Sequence, residues 1–308
     1  MAAQSAVGGT HRRSRKDNTV YHVMVLPAAA LVLLFCYLPM AGVVMAFQDF
    51  NIGKGIFGSK FVGLDNFIYL FKMRDTPRVI FNTFYIALLK FVLGLFVSLA
   101  FAILLNEVAR KYLKRTVQTI VFLPYFISWV LLAGIFVDIL SPSSGIINHA
   151  LAALGVDPVF FLGNPKAFPW VIIVTAVWKN FGFGSIIFLA ALAAVDPSLH
   201  EAAAVDGANR WRRIIHVTIP CIAPTIAVVA ILNLGGSLND MFDQIYNLYS
   251  PITYQTGDVI DTFVYRLGLI DMQYGPAAAF GLFKSVVTLV MVSVSYYAAL
   301  RYANYRVF

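Results

Sequence analysis

Three lysines lie inside the apolar stretches of this chain, Lys90, Lys179 and Lys284. A charged side chain in hydrocarbon is costly, so each is a functional candidate. Their ammonium groups can converge on a water-filled cavity and attract a carboxylate. They can equally snorkel to a surface or pair with Asp138, Asp240 and Asp243 at the ends of neighbouring stretches. Trp178, beside Lys179, offers either a face on which a pyranose ring can stack or an interfacial packing residue. Asn180, Asn233 and Asn239 carry amides able to hydrogen-bond hydroxyls. These seven residues are the candidates for a substrate path. Catalytic chemistry finds no comparable set, and no catalytic residue or metal ligand is assigned. His11, His22, His149, His200 and His216 are dispersed among loops and edges, and neither H-E-x-x-H nor a cluster of intramembrane carboxylates occurs. The phosphate-loop pattern G-x-x-x-x-G-K-[ST] is also missing, so the chain is expected to bind no nucleotide itself.

The elements that must position these side chains follow from composition. Of 308 residues, 60% are hydrophobic and 12% charged, whereas soluble domains run near half apolar and a quarter charged. Lipid is therefore the expected solvent. Unpaired backbone groups are not tolerated there, so long apolar runs must be helices of roughly 20 residues. Six are predicted, at about 23–47, 79–105, 117–140, 168–195, 218–239 and 277–300, giving an all-α polytopic membrane protein. The first follows a basic run but is too long for a signal-peptide core, and reads as a retained anchor. Residues 65–73 are amphipathic and short, as expected of a helix at an interface. The division is a basic N-terminus, 1–21, and a single transmembrane domain, 22–308. Cys36 and Cys221 sit in or beside apolar segments and support neither a disulfide framework nor a metal cluster. The net charge of +8 is scattered through short loops rather than massed on a face, which argues against nucleic acid.

The loop charges set an orientation. With the N-terminus inside, Arg12, Arg13, Arg15, Lys16, Arg110, Lys111, Lys114, Arg115, Arg210, Arg212, Arg213, Arg301 and Arg306 face the cytoplasm. Lys54, Lys60, Lys72, Arg74, Arg78, Lys166 and Arg266 lie outside. The positive-inside rule then places both termini in the cytoplasm. Each intramembrane lysine falls in the outer half of its helix.

Between the fourth and fifth spans runs a stretch of helix formers. Asp196 is placed to cap a helix with Pro197 at its first position, and Glu201 sits near the favourable end of the dipole. Ala202, Ala203 and Ala204 favour helix with little bulk, and Gly207 permits a sharp turn. A short helix at about 197–210 is predicted, with Arg210, Arg212 and Arg213 leading back toward Pro220 and Pro224.

Glu201-Ala202-Ala203, Asp206-Gly207-Ala208, Ile215, Ile219-Pro220 and Pro224 closely resemble the EAA signature of permease subunits of binding-protein-dependent ABC importers; Ile219 replaces a frequent leucine. Leu38-Pro39, residues 46–51, residues 63–67, Asn82-Thr83, residues 104–107, Leu123-Pro124-Tyr125, residues 141–148 and residues 258–266 are similar to sugar-type permeases. Within that group they look most like the branch for complex or acidic oligosaccharides that includes an alginate importer. The resemblance implies a multi-pass subunit of the bacterial inner membrane with a type I ABC importer permease fold. It implies that Glu201, Ala202, Ala203, Asp206, Gly207 and Ala208 form a coupling helix docked on an ATPase. The implied partners are a homologous second permease, two ATPase subunits and an extracytoplasmic solute-binding protein, which would dock on loops around 50–78 and 142–166. The implied cargo is an oligosaccharide. No cofactor is expected in this chain, ATP and Mg being held by the partner ATPase. The alternative weighed is an ion-coupled secondary sugar transporter, against which stand the lack of an internal repeat and of an acid deep in a span.

Overall fold

The computed structural model of the chain describes residues 15–302; Arg12, Arg13 and Arg306 lie outside the described residues. Among the described residues five helices are long and apolar enough to cross a membrane: Tyr21–Phe47, Thr76–Asn106, Phe168–Ala193, Arg210–Leu234 and Tyr274–Tyr297. The third predicted span is not straight. It consists of Lys111–Phe126 and Trp129–Ile139, bent by 103° at the break between them. Pro124 lies in a 3-10 turn, Leu123–Phe126, and Ile127 is extended (φ −83°, ψ 135°). Ser128 then caps the new helix by accepting from the Leu131 amide at 3.4 Å. An apolar run that reads as one helix is thus two, because proline removes a donor and a serine restarts the hydrogen-bond ladder.

Proline shapes two further spans more gently. A π turn, Leu33–Tyr37, precedes Pro39, and another, Ile214–Thr218, precedes Pro220. In each, the residue before proline bonds five residues back, Leu38 to Leu33 and Ile219 to Ile214. The wider turn relieves the clash between the proline ring and the carbonyl four residues earlier.

The second and fourth spans form the centre. Gly182 makes their neighbourhood tight, since a Cβ there would lie 2.3 Å from the backbone oxygen of Val121 in the third span. Four apolar clusters follow the bundle among the described residues, the smallest around Trp129, Leu132 and Ala176. One gathers Ala102, Ile103, Phe188, Leu192, Ile222 and Val229 from spans two, four and five. A second joins Ile86, Phe168, Ile172 and Ile173 to Met241, Ile245 and Val259, and a third joins Val79 to Phe263, Leu267 and Phe280. Residues 239–273, which connect spans five and six, therefore belong to the core. They carry the helices Phe242–Leu248, Tyr254–Gly257 and Ile260–Tyr265.

After the first span a two-stranded antiparallel hairpin pairs Gln48 with Phe61 and Asp49 with Lys60. The amphipathic helix Asp65–Lys72 packs beside it, and buried Asn66 donates to the carbonyls of Ala46 and Gln48, both at 2.9 Å. The first span itself is nearly bare, with 6% of its apolar window buried.

Candidate functional site

Of the seven path candidates, three meet in one cavity. Lys90 from the second span, Asn180 from the fourth and Asn233 from the fifth line a space of about 390 Å³, within the usual range of ligand pockets. Tyr125, at the bend of the third span, and Phe183 form its flat wall, stacked at 3.9 Å with 5° between their planes. Ser98, Ser237 and Asp240 add polar atoms. An aromatic wall opposed by amides, hydroxyls and one ammonium suits a polyhydroxylated ring, with an apolar face to stack and hydroxyls to bond.

The other candidates are placed elsewhere. Lys179 is buried and its ammonium donates to the backbone oxygens of Tyr125 at 2.7 Å and Pro124 at 3.4 Å. It also lies over the rings of Tyr125 and Trp129, at 5.4 and 5.6 Å. These carbonyls belong to the break in the third span, where Lys179 adds a donor; the Pro124 carbonyl also accepts from the Ile127 amide at 3.2 Å. Trp178 is exposed and meets Phe136 edge-on at 5.7 Å. Lys284 is paired with Asp261 at 2.5 Å, an acid outside the three weighed as partners from sequence. Asn239 is exposed at the end of the fifth span. The helix of that span runs unbroken from Ile219 to Ser237, and Gly236 lines the cavity with open space where a Cβ would stand.

Lys90 is held by a residue that sequence reasoning missed. Gln244 is buried, and its amide nitrogen donates to the Ile172 carbonyl at 2.7 Å and the Thr175 hydroxyl at 2.8 Å. With both amide hydrogens engaged, its oxygen is turned toward Lys90, whose ammonium donates to it at 2.9 Å. A second bond runs from Lys90 to the Asp240 backbone oxygen at 3.3 Å. No local pattern marks Gln244, because its partners lie about 70 residues away in sequence.

The connection between spans four and five is built differently. Asp196 accepts from the Ser198 amide at 2.9 Å, and this bond holds its carboxyl below the ordinary carboxylate range. The helix is Pro197–Val205, shorter than the expected 197–210. It ends because Gly207 adopts φ +76° and closes a Schellman motif. Ala208 donates to Ala203 at 2.9 Å and Gly207 to Ala204 at 3.1 Å. Asn209 then caps the next turn by accepting from Arg212 at 2.9 Å. Glu201, Ala202, Asp206 and Gly207 are exposed, while Ala203 and Ala208 are half-buried. Val205 stands almost fully out at 89% exposure.

The connection between spans five and six is pinned by charge. Asp258 is buried and pairs with Arg266 at 2.5 Å, accepting also from the Thr262 hydroxyl at 2.7 Å. Burial pushes the Asp258 carboxyl up from its ordinary value, against the pull of Arg266. The guanidinium lies 4.3 Å from the Tyr254 ring. Asn82 donates to the Asp258 and Gln255 carbonyls, and Thr83 accepts from the Ile260 amide at 2.9 Å.

Residues 65–303 match the family of binding-protein-dependent transport system inner membrane components. The chain belongs to that family. It is a transport subunit of the inner membrane rather than an enzyme. This permease is 36% identical to Protein LplB of Bacillus subtilis, over 94% of this chain and 90% of the relative. It is 37% identical to the polygalacturonan/rhamnogalacturonan transport system permease protein YteP of the same organism, over 89% and 85%. Among solved structures it resembles a chain of a bacterial alginate ABC transporter in complex with an alginate pentasaccharide-bound periplasmic protein. There the identity is 41%, the TM-score 0.85, and the match covers 93% of this permease and 96% of that chain. A second structure, of a bacterial ABC transporter that imports the acidic polysaccharide alginate, matches with the same identity and TM-score. The fold is that of type I ABC importer permeases.

Proposed function

We propose that this permease carries an acidic oligosaccharide inward across the inner membrane as half of a paired translocation path. A solute-binding protein delivers the sugar outside, and a homologous second permease completes the path. Two ATPase subunits, which hold ATP and Mg, engage the Pro197–Val205 helix and the turn after it. Both termini face the cytoplasm in this reading. The observation that carries it is the whole-length likeness to the alginate-importer chain, 41% identical at a TM-score of 0.85. The exposed helix capped at both ends supports it further, as does the cavity that joins an aromatic wall to an ammonium group.

The test is reconstitution. The permease, its neighbouring-gene partners and the binding protein are placed in vesicles, and uptake of labelled uronate oligosaccharides is followed with and without ATP. ATP-dependent uptake that requires the binding protein is the expected result. Uptake that persists without ATP and follows an ion gradient would replace this reading with that of a secondary transporter.

A further inference from the structure

The cavity contains one fixed cation, and its geometry is that of a group held ready for a ligand. An ammonium has three donor hydrogens. Lys90 uses one on the Gln244 oxygen and one on the Asp240 carbonyl, which leaves a third. Both acceptors are neutral. Among the described residues no carboxylate oxygen lies within ion-pairing distance of Lys90, whereas Lys284 has Asp261 at 2.5 Å. A cation in a membrane protein without a paired anion is expensive, and Gln244 is itself locked by Thr175 and the Ile172 carbonyl. The arrangement holds the charge still without neutralising it. Lys179 differs from Lys90 in place: it too donates to two neutral oxygens, but both belong to the backbone of the bent span and it lines no part of the cavity.

We propose that Lys90 is the residue that selects a carboxylated sugar unit in transit, and that Gln244 is the positioning residue that aims it. This rests on the acidic-oligosaccharide reading above and adds to it the group that reads the acid. A uronate ring would lie against the stacked Tyr125–Phe183 pair while its carboxylate takes the third hydrogen of Lys90. Asp240 also lines the cavity and weakens the attraction for any anion that does not reach the ammonium directly. Selection therefore depends on contact rather than on diffuse charge.

The experiment uses the complete complex in vesicles, with an alginate pentasaccharide and its carboxyl-reduced neutral counterpart as probes. The readout is the ratio of acidic to neutral uptake. Lys90→Gln is expected to lower the ratio of acidic to neutral uptake about tenfold, the scale of one charge-assisted hydrogen bond. Lys90→Arg should restore most of the ratio. Gln244→Met should lower it less than Lys90→Gln, since the charge remains but loses its aim. If Lys90→Gln lowers both probes equally, Lys90 is a structural tether and the proposal falls while acidic import stands. If Gln244→Met leaves the ratio at the wild-type value, Gln244 has no positioning role. A wild-type complex that takes up neither probe, or prefers the neutral one, overturns the acidic-substrate reading and this inference together.

Discussion

Two connections of this permease, residues 196–209 and residues 239–273, join consecutive spans and are held by opposite means. The second is stitched to the body over long sequence distances, as when Asn82 reaches Asp258 and Thr83 accepts from Ile260. Within it Asp258 is buried and matched by Arg266. The first makes its hydrogen bonds almost entirely with itself, from Ser198 to Asp196, Ala208 to Ala203 and Arg212 to Asn209. Its side chains at Glu201, Val205 and Asp206 point to solvent. The longer connection is part of the core and cannot move apart from it. The shorter one is stiff within itself and open on its outer face, which fits the docking proposed for it.

The contrast can be broken most severely in the pinned connection. Arg266→Ala should leave Asp258 buried without its partner and cost about 3–5 kcal/mol, read as a large fall in the thermal unfolding midpoint of the purified complex. A midpoint near wild type would mean that the 239–273 segment is not anchored by this pair. Next in size is Gly207→Val, which forces a β-branched residue into the left-handed region at a cost of about 1–2 kcal/mol. Amide exchange should quicken at residues 203–208 while the spans keep their protection, and ATP-driven uptake should fall. Unchanged exchange there would remove the Schellman turn from the explanation. The smallest effect on stability is expected for Glu201→Lys, within about 0.5 kcal/mol, because the side chain is exposed. The same variant should uncouple ATP hydrolysis from uptake, and normal uptake would contradict a docking role for this helix.

How much of this was legible in the sequence follows the range of the interactions. Asp196 as a cap and Gly207 as a turn were readable because their partners lie within a few residues. The helix between them ends at Val205 rather than near 210, since Asn209 begins a new cap instead of continuing the old helix. The third span read as straight because hydropathy reports how apolar a run is and not its direction; Pro124 and Ser128 turn it. The three lysines looked alike as charges in apolar helices. What separates them is the company of distant residues: Gln244 beside Lys90, the Pro124 and Tyr125 carbonyls beside Lys179, and Asp261 beside Lys284. No local pattern encodes those meetings.

The bond between Lys179 and the bent span also bears on how the chain is made. Its two halves emerge from the ribosome 54 residues apart. Until they meet, the Tyr125 carbonyl of the third span lacks its Lys179 donor and the fourth span carries a bare ammonium, each poorly suited to lipid alone. Joined, they satisfy one another. The third span is therefore expected to linger at the insertion machinery until the fourth arrives, so that the two enter the bilayer as one hairpin.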